Sequence, residues 1–277
     1  MIYMSWTVFG NPSFGSTRRY LGITMSRLSN LYPSLRGKHV FITGGATGIG
    51  AALVENFVAQ GALVSFLDID DDAANALKVR LNVREQLRYW HCDIRDVAAL
   101  QSTITTAARA HGSQLDVYIG NAANDARHAF DELTPEFWDN NQAINLRPQI
   151  FGAQAAARMM QPGGSIITTG SVSWMRRRAG FVSYTTSKAA IHGFTRTLAQ
   201  ELGPRGVRVN CVVPGAIKTP KQMAQVVTPE LEQEFLDNQA LKFRLDGDDV
   251  VAMVLFLASD DSRGCAGQAF IVDGGIV

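Results

Sequence analysis

Lys38-His-Val-Phe-Ile-Thr-Gly-Gly-Ala-Thr-Gly-Ile-Gly50 is the stretch that decides the fold. An apolar run, Lys38–Thr43, predicts a strand. Glycines follow at once, and a helical pattern, Ile49–Gln60, begins inside them. Gly44, Gly48 and Gly50 let the backbone turn tightly and come close to a ligand. The start of the helix offers free N–H groups and a positive dipole end, which suits a pyrophosphate. Thr47 and Ile49 belong to the same expected dinucleotide contact.

The second predicted strand, Ala62–Leu67, ends at Asp68 in Ser65-Phe-Leu-Asp-Ile-Asp70. A carboxylate there accepts hydrogen bonds from ribose hydroxyls and repels a 2′-phosphate. The turn carries Ala46 and Thr47 and no Arg or Lys that would welcome that phosphate. The expected cofactor is therefore NAD rather than NADP, with Ile69 beside Asp68. The plainer alternative is a loop carboxylate among Asp70, Asp71 and Asp72. Asp93 follows the third strand, next to Ile94, where it would meet the adenine amino group. Capping the following helix is its other reading.

Outward from this unit the chain keeps alternating. Further strand candidates are Arg88–Cys92, Leu115–Ile119, Ser165–Thr169, Val207–Val213 and Gln268–Val272. Helical patterns fall between them at Val97–Ala110, Thr134–Met160, Tyr184–Leu202 and Asp248–Ala258. Strand and helix in alternation mean right-handed crossovers and a parallel sheet covered on both faces. The class is α/β, doubly wound, with one domain over residues 36–277 and no internal repeat. Residues 1–35 hold Arg18, Arg19 and several Ser and Thr, and no acidic residue. Such a start resembles an organelle transit peptide. No amphipathic helix is evident, so the reading is a weakly ordered extension, with Met25 as an alternative start. Residues 221–245 read as a small helical lid, the kind of segment that sets substrate choice and release.

Composition narrows the function classes. Of 277 residues, 46% are hydrophobic, enough for one substantial core. A net charge of +1 gives no global field for nucleic acid. No apolar run approaches the ~20 residues of a membrane span. Cys92, Cys211 and Cys265 are scattered and odd in number, which reads as reduced thiols in a cytoplasmic protein. The histidines His39, His91, His111, His128 and His192 lack metal-ligand spacing, so no metal is expected.

The second informative stretch is Tyr184-Thr-Thr-Ser-Lys188. A phenol titrates near ~10 and is a poor base at neutral pH. A lysine four residues on shares its helix face and favours the phenolate by charge. Tyr184 would take a hydroxyl proton while Ser171 steadies the same oxygen, in a hydride-transfer reaction. The plain alternative is an exposed helix pair.

These residues, with others, resemble the short-chain dehydrogenase/reductase family from about Leu35 to Val277. The matching motifs are Thr43–Gly50, Asn121-Ala122, Asn145 in Ala143-Ile-Asn-Leu146, Ser171, Tyr184-x-x-x-Lys188, Pro214-Gly-x-x-x-Thr219 and Asp273-Gly-Gly. The resemblance implies a Rossmann-type sheet of seven strands and a homotetramer. It assigns catalysis to Asn145, Ser171, Tyr184 and Lys188, with Asn145 holding a water in a relay with Lys188. Lys188 and Tyr184 would also touch the cofactor. Asn121 and Ala122 would line its site, and Pro214, Gly215, Ile217 and Thr219 would cover the nicotinamide. One departure is Ala123, where the family has glycine.

Leu31–Lys38, Asn124–His128, Gly170–Trp174 and Val212–Thr219 further resemble bacterial NAD-dependent sugar dehydrogenases. That implies oxidation of an aldose, D-xylose or a related pentose or deoxyhexose, at the anomeric carbon to an aldonolactone. Trp174 could stack on a sugar face. Asn124, Arg127, His128, Ser173 and Gln222 would supply polar contacts. The plainer alternatives are a Trp174 packed under its loop, and Arg127 and His128 at a subunit interface. Arg176-Arg-Arg178 reads as a solvated face, or as a site for an anionic substrate. Two other functions stay open: a secondary-alcohol or ketone oxidoreductase on a polyol, steroid or acyl substrate, and a non-catalytic nucleotide-binding regulator.

Overall fold

Seven parallel strands form one sheet. The structure, a computed structural model, describes residues 19–20, 23–24, 28, 30–83, 85–112, 114–225 and 228–277. The strands are β1 (His39–Thr43), β2 (Leu63–Asp68), β3 (Leu87–His91), β4 (Val117–Gly120), β5 (Ser165–Thr169), β6 (Arg208–Pro214) and β7 (Ala269–Val272). Their order across the sheet is β3-β2-β1-β4-β5-β6-β7. The seven predicted strands are all present, displaced by a residue or two at their ends. β1 is buried along its whole length, as a strand covered on both faces must be.

The helices, in chain order, are α1 (Gly48–Ala59), α2 (Asp71–Leu81), α3 (Val97–Ala110), α4 (Pro135–Asn145), α5 (Arg147–Arg158), α6 (Val182–Leu202), α7 (Pro220–Gln225), α8 (Pro229–Asn238) and α9 (Gly247–Ala258). Side chains of α1, α2 and α9 join one apolar cluster, around Phe57, Leu77 and Val254. Those of α3, α5 and α6 join a second, around Ile104, Ala156 and Leu202. Leu28 and Tyr32, inside the expected extension, pack against the first cluster, and Leu35 is fully buried. Most of residues 1–27 lies outside the described residues. Among the described residues no helix is long and apolar enough to cross a membrane.

Two local features differ from the sequence reading. The aspartate run after β2 is a helix start: Asp70 caps α2, accepting from Ala73 N at 2.9 Å. Asp71 and Asp72 occupy its first turn, where the dipole favours negative charge. The single helix expected over Thr134–Met160 is two, α4 and α5, which meet at Leu146 with φ −116° and ψ −55°. Pro148 explains the break, because it has no N–H for the carbonyl four residues back. The bend leaves Asn145 at the end of α4.

The chain reverses direction across the sheet between β1 and β4, which lie side by side with Ile42 opposite Ile119. Loops leaving the carboxyl ends of these strands diverge there and open a crevice, the usual ligand site of such sheets.

At the opposite, amino-terminal edge, His39 is buried with both ring nitrogens bonded. Nδ1 lies 2.9 Å from the Gln114 carbonyl and Nε2 lies 2.8 Å from Ser65 Oγ. Burial lowers its pKa to about 4. The unfolded chain, with a histidine near ~6.5, then binds the proton more tightly than the folded one. Stability is full above that value and falls as the pH drops toward 4. Between about pH 7.5 and 5 the His39 contribution to this loss is about 2 kcal/mol. Urea titrations of wild type and His39→Gln at both pH values check it. The variant, weaker at neutral pH, should show the smaller acid loss, and equal losses would refute the assignment.

Candidate active site

The turn after β1 is shaped for close contact. Gly44 has φ +67°, and a Cβ there would come within 2.9 Å of the Ala122 Cα. A Cβ on Gly50 would overlap the Gly44 carbonyl oxygen. Thr47, the N-cap of α1, makes no side-chain cap bond, so the first-turn N–H groups are left for a ligand or solvent. Asn121 ties the turn to β4, with Nδ2 donating to the Thr43 and Gly44 carbonyls at 3.0 and 2.9 Å. Ala122 N donates to Thr43 Oγ1 at 3.1 Å. A Cβ on Gly48 would meet the Thr219 methyl at 3.4 Å, so the Pro214–Thr219 loop closes over the turn. In that loop Pro214 and Ile217 are buried, and Gly215 abuts Asp273.

Asp68 stands at the crevice, half-buried. Its Oδ2 accepts from Ala46 N at 2.9 Å, and Oδ1 accepts from Ile69 N at 2.8 Å and Asp70 N at 3.2 Å. Ile69 is exposed beside it, and Ile94 is buried. A carboxylate has about four acceptor positions, so Asp68 keeps capacity for ribose hydroxyls. These features fit a dinucleotide: free amides at a helix start, glycines where a Cβ would clash, and an acidic residue ending β2.

Asp93 is less free than the sequence suggests. Arg95 clamps it, with Nη2 at 2.6 Å from Oδ2, and holds its carboxyl below the usual range. Nor does Asp93 cap α3. That role belongs to Asp96, which accepts from Ala99 N at 2.9 Å. Two carboxylates three residues apart were equally placed in the sequence, and the turn geometry chose the second.

Ser171, Tyr184 and Lys188 come together beyond the ends of β5 and β6. Ser171 lies two residues past β5, and Tyr184 and Lys188 occupy successive turns of α6. Lys188 is fully buried. Its Nζ donates to the Thr169 carbonyl at 2.8 Å and lies 5.6 Å from the Tyr184 ring centroid. Burial lowers the ammonium pKa to about 8. Burial also pushes the Tyr184 phenol up to about 12; a hydrogen bond from Ser171 pulls it down, and the Asp125 charge pushes it up. In the polypeptide alone burial dominates, and the phenol lies above its ordinary value.

Asn145 is fully buried, and its side chain is a clamp. Oδ1 accepts from Asn124 N at 2.9 Å, while Nδ2 donates to the Asn124 carbonyl at 2.9 Å and to the Asn141 carbonyl at 3.1 Å. It fixes the loop after β4 against the end of α4. Asn141 was missed by the sequence reading, although its spacing of four from Asn145 on one helix was visible.

The proposed substrate residues divide. Ser173 Oγ is buried with no hydrogen-bond partner among the described residues, one residue from Trp174. Trp174 is 38% exposed and meets His192 edge-on at 5.1 Å. Asn124 Oδ1 accepts from Lys221 Nζ at 3.2 Å, a contact from α7 that no motif marks. Arg127 stacks on Phe181 at 4.8 Å, and Phe181 lies 6.3 Å from the Tyr184 ring. His128 is engaged at both nitrogens: Nε2 accepts from Ser183 N at 3.3 Å, so Nδ1 carries the proton, 3.1 Å from the Ala129 carbonyl. It pins the loop and is not free for a sugar. Gln222 offers its amide oxygen to Arg244 at 2.9 Å. The arginine run is the expected solvated face only at Arg177, which is exposed. Arg176 and Arg178 are half-buried around Phe235 of α8, and Arg178 pairs with Glu234 at 3.4 Å.

Among the described residues no group of three His, Cys, Asp or Glu is placed to hold a metal ion. A family profile described as Enoyl-(Acyl carrier protein) reductase matches residues 44–277. D-xylose 1-dehydrogenase of Caulobacter vibrioides is 43% identical over 250 residues, covering 89% of this chain and 98% of the relative. A probable galactose dehydrogenase of Rhizobium meliloti is 40% identical over 256 residues, covering 91% and 100%. The crystal structure of a short chain dehydrogenase from Burkholderia cenocepacia in complex with NADP superposes with a TM-score of 0.82. It is 33% identical and covers 88% of this chain and 99% of that one.

Proposed function

The chain belongs to the short-chain dehydrogenase/reductase family of NAD(P)-dependent oxidoreductases, and from that premise we propose that it oxidises an aldose at the anomeric carbon to the aldonolactone, with NAD as acceptor. The observation that carries the reading is the grouping of Ser171, Tyr184 and Lys188 beside a crevice whose second strand ends in Asp68. The sugar assignment is supported by the likeness to the xylose and galactose enzymes. It is supported too by the unpartnered Ser173 hydroxyl beside the half-open Trp174 face.

Gly44, Gly48, Gly50 and the first-turn amides of α1 would hold the pyrophosphate, and Asp68 the adenosine ribose. Pro214, Gly215, Ile217 and Thr219 would cover the nicotinamide. The bound dinucleotide supplies the hydride acceptor and, when oxidised, a positive charge. Ser171 donates a hydrogen bond to the sugar's anomeric oxygen. Tyr184, as phenolate, takes the proton from that oxygen as it becomes a carbonyl. Lys188, fastened by the Thr169 carbonyl, keeps an ammonium beneath the phenol and has further N–H groups for ribose hydroxyls. The Asn145 side chain is committed to Asn124, so a relay through this residue would use its main-chain carbonyl at the bend between α4 and α5.

The test is a panel of aldoses, aldonic acids and secondary alcohols with NAD and with NADP, followed at the reduced-nicotinamide absorbance. Turnover of a neutral pentose or deoxyhexose, faster with NAD, is expected. Asp68→Asn, which keeps an acceptor for Ala46 N but loses the charge, should shift the kcat/KM ratio toward NADP by about tenfold, or ~1.4 kcal/mol. Turnover of alcohols alone, or NADP preference in the wild type, would overturn the aldose or the NAD reading respectively.

A further inference from the structure

Arg244 lies outside every motif of the sequence, yet it touches each part of the lid. Its side chain is 7% exposed. Nη2 donates to Gln222 Oε1 at 2.9 Å, from α7, and lies 3.5 Å from the carbonyl of Ala216, inside the Pro214–Thr219 loop. Nη1 lies 3.3 Å from Glu232 Oε2 on α8. The guanidinium stacks over Phe235, 4.7 Å from its centroid. Arg176 and Arg178 approach the same ring from the loop that follows Ser171.

This cluster does not suit an anionic substrate. Glu232 and Glu234 are already paired with Arg244 and Arg178, and Asp273 acts on Arg176. A substrate carboxylate would enter among acids. What the cluster does is mechanical. It joins α7, α8, the cofactor-side loop and the Ser171 loop through one buried aromatic ring.

Resting on the reading of this crevice as a sugar site, we propose that Arg244 is a positioning residue: it fastens the lid to the cofactor-side loop and orients Gln222 for the substrate. With its oxygen held by Arg244, the Gln222 amide has its nitrogen directed away from the guanidinium. The residue then offers a bound sugar a donor, which a hydroxyl or ring oxygen can accept. A lysine cannot replace this arginine. One ammonium on a flexible stem cannot span Ala216, Gln222 and Glu232 while stacking on a ring.

The test uses the full-length enzyme and three variants: Arg244→Met, Arg244→Lys and Gln222→Glu. Both Arg244 variants should raise the substrate KM about tenfold, with kcat within about threefold and the NAD dissociation constant within about twofold. Thermolysin should cut them between Thr228 and Leu245 at least about fivefold faster than the wild type. Gln222→Glu keeps a partner for Arg244 but replaces the donor by an acceptor. Its KM should rise while its cleavage rate stays at the wild-type value. Unchanged KM and cleavage in Arg244→Met, full rescue by Arg244→Lys, or a parallel loss of NAD affinity would overturn the proposal. So would an unchanged KM in Gln222→Glu. Failure of the sugar reading looks different. The wild type would then turn over no aldose, and the cleavage rates would still decide whether Arg244 fastens the lid.

Discussion

Tyr184→Phe should lower turnover by roughly 10²–10⁴-fold and leave dinucleotide binding within about twofold. The substitution removes one oxygen and keeps the ring that packs 6.3 Å from Phe181, so the loss is chemical. The size of the effect follows from how hard the phenol is to ionise in the polypeptide alone. Burial pushes it up to about 12, while Lys188, itself lowered to about 8, is tied to the Thr169 carbonyl. A second positive charge is needed, and oxidised nicotinamide has one. An added cation favours the phenolate, so the pKa must fall when oxidised NAD binds. Difference titration of tyrosinate absorbance, wild type minus Tyr184→Phe, isolates this group from the other tyrosines. The expected result is a phenolate appearing below ~10 with NAD and well above that without it. The oxidative rate should rise with pH through the same ionisation. A flat profile with chemistry limiting, or an unshifted phenol, would sink tyrosinate as the base.

Gly50→Ala should abolish dinucleotide binding at practical concentrations, a loss of at least about 100-fold, or ~2.7 kcal/mol. The new Cβ would overlap the Gly44 carbonyl oxygen and crowd Asn121 Nδ2 at 2.9 Å. Neither can move aside. Gly44 N is bonded to the Leu67 carbonyl at 2.8 Å, and its oxygen accepts from Asn121 at 2.9 Å. The turn must therefore distort, and it is the part of the crevice that takes the pyrophosphate. Overpacking of this kind also costs about 1–3 kcal/mol of folding stability. Calorimetric NAD titration together with urea unfolding separates the two. An alanine variant that binds NAD like the wild type would show that the turn has slack the structure does not display.

Some of this was legible in the chain because it depends on near neighbours. The break between α4 and α5 is also legible, at Pro148, but the apolar pattern that continues through it masks it. Asp93 and Asp96 show a subtler limit. Both residue types suit a helix cap, and only the turn preceding α3 decided which carboxylate capped and which met Arg95.

Strand followed by glycine turn followed by helix, the alternation that makes a parallel sheet, and the spacing of Tyr184 and Lys188 were determined by the sequence itself. Each is a pattern of backbone periodicity or one helical turn, complete within a dozen residues. The tertiary structure alone decided what the side chains are free to do. His128 is consumed by Ser183 and Ala129, Asn145 by Asn124, and Arg176 and Arg178 by Phe235. Arg244 gathers Ala216, Gln222, Glu232 and Phe235. Hydrogen-bonding capacity is finite, and folding assigns it between segments that sequence spacing does not relate.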